Sequence, residues 1–295
     1  MSPHAFDGDT LVSPVYLAGS MHTGDPALQP LLNCGFVLAG DEYGNVYVNS
    51  PDQRFRLGYM PEGPDYTLWK ITAQRSPFAE PEWMTTFDTP TPTELVTAFT
   101  SALADRYQDD PTAALFGPSS PSQEGWLPLQ KAGWRHGSTR PSTFFTAPDG
   151  LAGLSHSGRL VPRQEELRGE RQRWLLWGGE DGYLERWYAT FTSGVPTSLI
   201  AATTKRLADQ DPVLRCERDV PPRNRSVAQM RPLPPPTPTP LDVQRVAAAR
   251  AHSLGHRRAA VHTVAPSPSY HSPAHIHGQR GGLGHNSRGD RSGLR

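Results

Sequence analysis

The sequence predicts an α+β fold of two tandem repeats, each an antiparallel strand meander followed by one C-terminal helix, with a disordered tail behind them. Three observations predict it. Two stretches match each other at a nearly constant offset. Within each, short runs of aromatic and β-branched residues alternate with turn-forming residues. A Thr-Pro-x-Glu element followed by an apolar helical stripe then closes the first stretch.

The repeat is clearest at its C-terminal end. Trp83 and Phe87 recur as Trp187 and Phe191, Pro92 and Leu95 as Pro196 and Leu199, and Leu103 and Asp105 as Leu207 and Asp209, all 104 residues apart. Upstream, Pro51 and Asp52 match Pro148 and Asp149 at an offset of 97, and Gly35 and Phe36 match Gly133 and Trp134 at 98. The difference of about seven implies an insertion in the second copy, placed in the charged segment 162–172 and read from its composition as a solvated loop. The expected boundaries are a flexible N-terminus over 1–14, a first module over 15–109, a linker over 110–123 with two Pro-Ser steps, a second module over 124–212 and a disordered tail over 213–295.

In the first copy, residues 35–39, 45–49, 54–59, 66–73 and 83–87 read as strands, with a segment around Tyr16 as a further edge strand. Asn45, Pro51 and Asp52 supply turn chemistry between them: proline presets φ, and Asn and Asp bond their own backbone. Thr91, Pro92 and Glu94 have the spacing of a capping box with proline at the first helical position. The stripe of Leu95, Ala98, Phe99, Ala102 and Leu103 must then cover one face of the meander. Leu199, Ala202, Thr203 and Leu207 repeat it more weakly. Modules of roughly 90 residues are adequate as separate folds, and a packed pseudo-two-fold pair with a cleft between the copies is the favoured arrangement.

Composition locates the tail. An apolar fraction of 36% with 31 prolines and 27 glycines is too lean for a chain folded end to end. Residues 1–110 carry 15 acidic side chains against 5 basic, 111–214 carry 10 against 11, and 215–295 carry 4 against 13, so the overall neutrality is a cancellation. An acidic body with a basic tail can attract that tail, a second copy or a polyanion. Residues 232–240 hold six prolines and read as a polyproline II spacer, and 241–251 as a short docking helix. The N-terminus is polar and acidic, without the basic and apolar regions of a leader, and no apolar run is long enough for a membrane span, so the expected location is cytoplasmic.

The search for chemistry returns no catalytic, cofactor-binding or metal-binding residue. Cys34 and Cys216 lie far apart and outside any ligand spacing. His271, His275, His277 and His285 have spacings a transition metal could accept, but seven of the 11 histidines fall in this biased tail, and the composition explains them. Arg257, Arg258 and the arginines of 280–295 could neutralise phosphates, with Tyr270 the lone aromatic among them to stack a base. Ser155 and Ser157 miss a nucleophile elbow, since Ser157 stands where glycine is needed. His136 and His156, present in the second copy, are expected to be structural or surface residues, and Trp69, Trp83, Trp174 and Trp187, repeated on strands, to be core.

Residues 15–19 (Val-Tyr-Leu-Ala-Gly), the Ser50-Pro51-Asp52 turn, Trp69-Lys70-Ile71, the Trp83 to Phe87 strand and the Thr91-Pro92-x-Glu94 helix start together resemble the actinobacterial (Streptomyces-type) tandem-repeat family known as domain of unknown function 317. The resemblance covers about residues 15–210 and departs at Trp174-Leu175, where the second copy lacks the lysine of Trp69-Lys70. It implies the tandem layout and an actinobacterial origin, and carries over no activity. The leading expectation is a non-catalytic protein-binding or scaffold protein, its partner another protein or a second copy. The alternatives are a nucleic-acid-associated accessory protein acting through the tail, and an enzyme with a site between the modules.

Overall fold

Pro30 and Pro128 occupy matching positions in the two repeats, and each lies inside a helix that the strand pattern does not announce. The computed structural model describes residues 8–21, 23–63, 66–116, 121–182, 186–233, 240, 241 and 243–250. After β1 (Asp9–Ser13), the first repeat runs α1 (Asp25–Asn33), β2 (Val37–Gly40), β3 (Val46–Asn49), β4 (Phe55–Tyr59), β5 (Thr67–Gln74), β6 (Pro81–Asp88) and α2 (Thr93–Asp109). After α3 (Pro111–Phe116) the second runs α4 (Gln123–Lys131), β7 (Arg135–Thr139), β8 (Ser142–Thr146), β9 (Ala152–His156), α5 (Arg163–Leu167), β10 (Trp174–Gly178), β11 (Trp187–Phe191) and α6 (Thr197–Ala208), followed by β12 (Val213–Cys216) and β13 (Gln229–Pro232). α1 and α4 end alike: Gly35 (φ +81°) and Gly133 (φ +76°) take the left-handed conformation. Phe36 and Trp134 then return their amides to the carbonyls of Leu31 and Leu129.

The two meanders are not separate sheets. Their last strands pair antiparallel, Phe87 opposite Ala189 and Thr86 opposite Thr190, and this joins them into one ten-stranded sheet in the order β2-β3-β4-β5-β6-β11-β10-β9-β8-β7. The helices α1, α2, α6 and α4 pack side by side in that order on one face. Period-two alternation decides what they cover: Trp69, Ile71 and Ala73 on β5, Trp83, Thr85 and Phe87 on β6, and Trp187, Ala189 and Phe191 on β11 are buried. At the seam the rings of Phe87, Phe99 and Phe191 meet within 6.0 Å of one another, so the core runs through from one repeat to the other. Residues 1–236 form one compact unit that contains both repeats, and 237–295 form another, in which residues 240, 241 and 243–250 are helical and exposed.

The segments leading into the repeats are exchanged across the seam. α3, which leads into the second repeat, accepts the indole N–H of Trp83 in the first at Leu115 O, 3.0 Å. The 3-10 turn Val15–Leu17, which leads into the first, accepts the indole N–H of Trp187 in the second at Tyr16 O, also 3.0 Å. Both indoles are fully buried, so each bond replaces water that the ring cannot reach. Replacing Trp187 by phenylalanine leaves the Tyr16 carbonyl without its donor and is expected to cost roughly 1–3 kcal/mol, read from the shift of the urea midpoint at constant m-value.

Several expectations change here. Tyr16 lies in that 3-10 turn and not in an edge strand. Residues 9–13 are not a flexible lead-in: β1 lies between β12 and β13 in a second, three-stranded antiparallel sheet. The ordered body therefore extends past residue 213, through Asn224, whose buried side chain donates to Leu17 O (3.0 Å) and accepts from the Glu180 amide (2.9 Å), and on through Pro232. The stretch 110–123 contains α3. The segment 162–172 is not simply a solvated loop: it contains α5, whose Glu166 is 4% exposed and accepts from the Ser193 amide and hydroxyl at 2.9 Å. The helix cap also differs. Pro92, in extended conformation, is the residue before α2, while the Thr91 hydroxyl turns to Tyr188 O and Glu94 pairs with Arg215. Among the described residues no helix is long and apolar enough to cross a membrane.

Candidate functional site

Alternation that buries one face of the sheet under α1, α2, α6 and α4 leaves the other largely open, with the short α5 at its middle. On this open face the paired positions form a row running Tyr47, Gly58, Lys70, Thr86, Thr190, Leu175, Ser155, Phe144. At ~4.8 Å per strand it spans on the order of 30 Å. The row is nearly palindromic. Thr86 and Thr190 are repeat equivalents that meet at the seam, their hydroxyls 2.7 Å apart. Tyr47 and Phe144 are equivalents at the two ends, 36% and 38% exposed. The symmetry breaks most where Leu175 of one copy stands in place of Lys70 of the other.

At the seam the open face sinks into a hollow of about 690 Å³, a size usual for ligand sites. Lys70, Met84, Thr86, Asp88, Leu175, Tyr188 and Thr190 form its floor, Met60 and Gly63 one wall, and Leu167, Arg168, Gly169 and Gln172 the other. The second wall is the copy-two insertion, so a departure from the repeat builds the site. Arg163 anchors that wall by donating to the carbonyls of Pro81 and Glu80 and by pairing with Glu82 at 3.5 Å.

Charge in the hollow is unbalanced. Lys70 is exposed and has no carboxylate partner among the described residues. Asp88 accepts the Tyr188 amide at 3.2 Å, and burial pushes its carboxyl up to about 6 against that bond. One Thr86–Thr190 hydroxyl proton bridges the two oxygens, which leaves the other free to donate to a ligand. Tyr188 lies 39% exposed beside Trp177, and the guanidinium of Arg186 sits 4.7 Å from the Trp177 ring centre. Gly153 permits that indole to lie flat, since a Cβ there would come within 2.6 Å of it.

The residues weighed from sequence fall mostly elsewhere. Trp69, Trp83, Trp174 and Trp187 are core, at most 2% exposed. His156 is buried under the helices, its ring 4.2 Å from that of Trp174, and His136 stacks on Phe145 at 5.0 Å. Ser155 is in the open-face row, while the Ser157 hydroxyl accepts the Arg159 amide in a loop. His271, His275, His277, His285, Arg257, Arg258, Tyr270 and the arginines of 280–295 lie outside the described residues, as do 234–239 of the proline run. Among the described residues no group of three or more His, Cys, Asp or Glu is placed to hold a metal. Sequence reasoning missed Asp88, Tyr188 and Thr190 as site residues; the Lys70/Leu175 departure and the insertion were the available signals.

His156 and Asp88 give acid stability opposite slopes. Burial, reinforced by Arg173, lowers His156 to about 4, so between about 4 and 6.5 the unfolded chain holds a proton that the folded chain does not. Its contribution is therefore present above pH 6.5 and is lost as pH falls through 4, on the order of 3 kcal/mol in all. Asp88 binds its proton more tightly in the fold, so its contribution is present below its ordinary value of 3.8 and is lost as pH rises through about 6. Urea midpoints measured from pH 4 to pH 7 should rise less steeply in His156→Phe and more steeply in Asp88→Asn than in the parent.

These features define a class: a duplicated α+β protein with one continuous antiparallel sheet, helices on one face, and an asymmetric hollow at the repeat seam on the other. Residues 49–108 and 146–213 match the family model described as SPDY, Domain of unknown function (DUF317), so both repeats are similar to that family. The first match starts at the end of β3 and the second at the end of β8, and both run through the helix that closes the repeat, α2 or α6. No curated protein and no solved structure matches the chain.

Proposed function

We propose that this is a non-catalytic binding protein that grips an extended segment of a partner protein across the open sheet face, with the seam hollow as the anchor point. The observation that carries the reading is the hollow itself. It combines Lys70, which has no carboxylate partner among the described residues, with Met60, Met84, Leu175 and the exposed ring of Tyr188. Aromatic, methionine and arginine side chains around a concavity, here Tyr188, Met60, Met84 and Arg168, have the composition of a protein-recognition surface. The partner chemistry that fits is an acidic side chain for Lys70, flanked by apolar side chains. A cytoplasmic setting in an actinobacterium is part of the same reading: the origin comes from the sequence resemblance, and the location from the polar N-terminus and the lack of a membrane-length apolar run.

The test uses the full chain as bait in parallel with Lys70→Glu and Tyr188→Ala, both at exposed positions. A protein recovered in fixed ratio with the parent and lost with both variants, at unchanged melting temperature, is the expected result. A protein held equally by all three baits contradicts the hollow as anchor. Nucleic acid recovered with all three and released by moderate salt would transfer recognition to the basic tail.

A further inference from the structure

The two ends of the ten-stranded sheet are chemically opposite. At one end β2 is exposed at all four residues, with Val37 60% and Leu38 50% accessible, and its pairing with β3 is regular. An edge strand is normally blunted by lysine, proline or a bulge, and β2 has none of these. The turn that follows it carries Asp41 and Glu42. At the other end β7 begins with exposed Arg135, preceded by Lys131 at the end of α4 and followed by Arg140 in its hairpin turn. Arg135 has no carboxylate partner among the described residues.

Direction makes these ends compatible. Every neighbouring pair in the sheet is antiparallel, so β2 and β7, first and tenth in order, run oppositely. A second copy set beside the first with its helices on the same side therefore offers β2 antiparallel to β7 and continues the sheet. In that pairing the C-terminal end of β2, with Asp41 and Glu42, meets the N-terminal end of β7, with Arg135 and Lys131. We infer that the chain associates head to tail with copies of itself, β2 of one molecule adding to β7 of the next. Two β2 edges could also pair antiparallel about a two-fold axis, but that would set Asp41 and Glu42 of each copy beside the uncharged N-terminal end of the other β2, whereas the β2–β7 contact matches acid to base. A heterologous contact of this kind leaves a free β2 and a free β7 at the ends, so growth does not stop at two copies. The inference is independent of the seam hollow, which lies mid-sheet.

Sedimentation velocity of the full chain over a wide concentration range at low salt tests it. The average mass is expected to climb past twice the chain mass of 32.4 kDa and to fall back in high salt. Leu38→Lys and Arg135→Glu should each return the chain to monomer with an unchanged melting temperature, and Glu42→Arg combined with Arg135→Glu should restore assembly. A monomer at every concentration overturns the inference. So does a species that stops at two copies and ignores Arg135→Glu, the behaviour of paired β2 edges, or one that persists in both single variants.

Discussion

Residues 8–109, produced without the second repeat, will not fold. In the whole protein Phe87 and Phe99 pack on Phe191, and the fully buried Trp83 donates its indole N–H to Leu115 in the leader of the other repeat. Isolation removes both partners and frees the edge of β6, where the Thr192 and Met84 amides are satisfied across the seam by Met84 O and the Thr192 hydroxyl, each at 3.0 Å. Each exposed phenylalanine costs about 2 kcal/mol and each stranded polar group about 1–3 kcal/mol, against a total stability on the order of 5–15 kcal/mol for a domain. The expected observation is near-ultraviolet circular dichroism without fine structure and no cooperative melt, where the full chain shows both.

Arg215→Ala is expected to be the most damaging single substitution outside the core, at roughly 3–5 kcal/mol in urea unfolding. Arg215 is 2% exposed along its side chain and makes a two-bond pair with Glu94, 2.8 and 2.6 Å, while also donating to Gly19 O. It thus fastens β12 to the first turn of α2. Truncation leaves Glu94 near a carbonyl with no cation between them. The double change Glu94→Gln with Arg215→Met removes both charges and keeps the packing volume, so it should cost markedly less than Arg215→Ala alone; equal costs would show that packing and not charge dominates there.

The repeat, the strand meander and the closing helices were legible because each rests on local periodicity that appears twice. What escaped has physical reasons. α1 and α4 carry internal prolines, which read as helix breakers and outweigh the helical spacing of Leu28, Leu31 and Leu32; Pro30/Pro128 and Gly35/Gly133 did mark them as a matched pair. β13, Gln-Met-Arg-Pro, is polar and lies beside a proline run, so its composition reads as tail, and its partner β1 is more than 200 residues away in sequence. The exchange of leader segments and the seam hollow follow from which strand pairs with which. That order is a tertiary fact: Lys70, Thr86, Thr190 and Leu175 become neighbours only once β6 pairs with β11. The Glu94 capping box failed for a related cause, since a buried arginine from a distant strand offers a carboxylate more than a backbone amide does.

The seam is the central claim, because the hollow, the exchanged leaders and the continuous sheet all depend on Thr86 lying opposite Thr190. The most direct measurement is a thiol count on Thr86→Cys/Thr190→Cys, made in a background where Cys34 and Cys216 are serine, after mild oxidation of the monomer. Directly opposed strand residues lie within disulfide reach, so the account predicts no free thiol and a bridge within one chain. Two free thiols, or bridges only between chains, would contradict it.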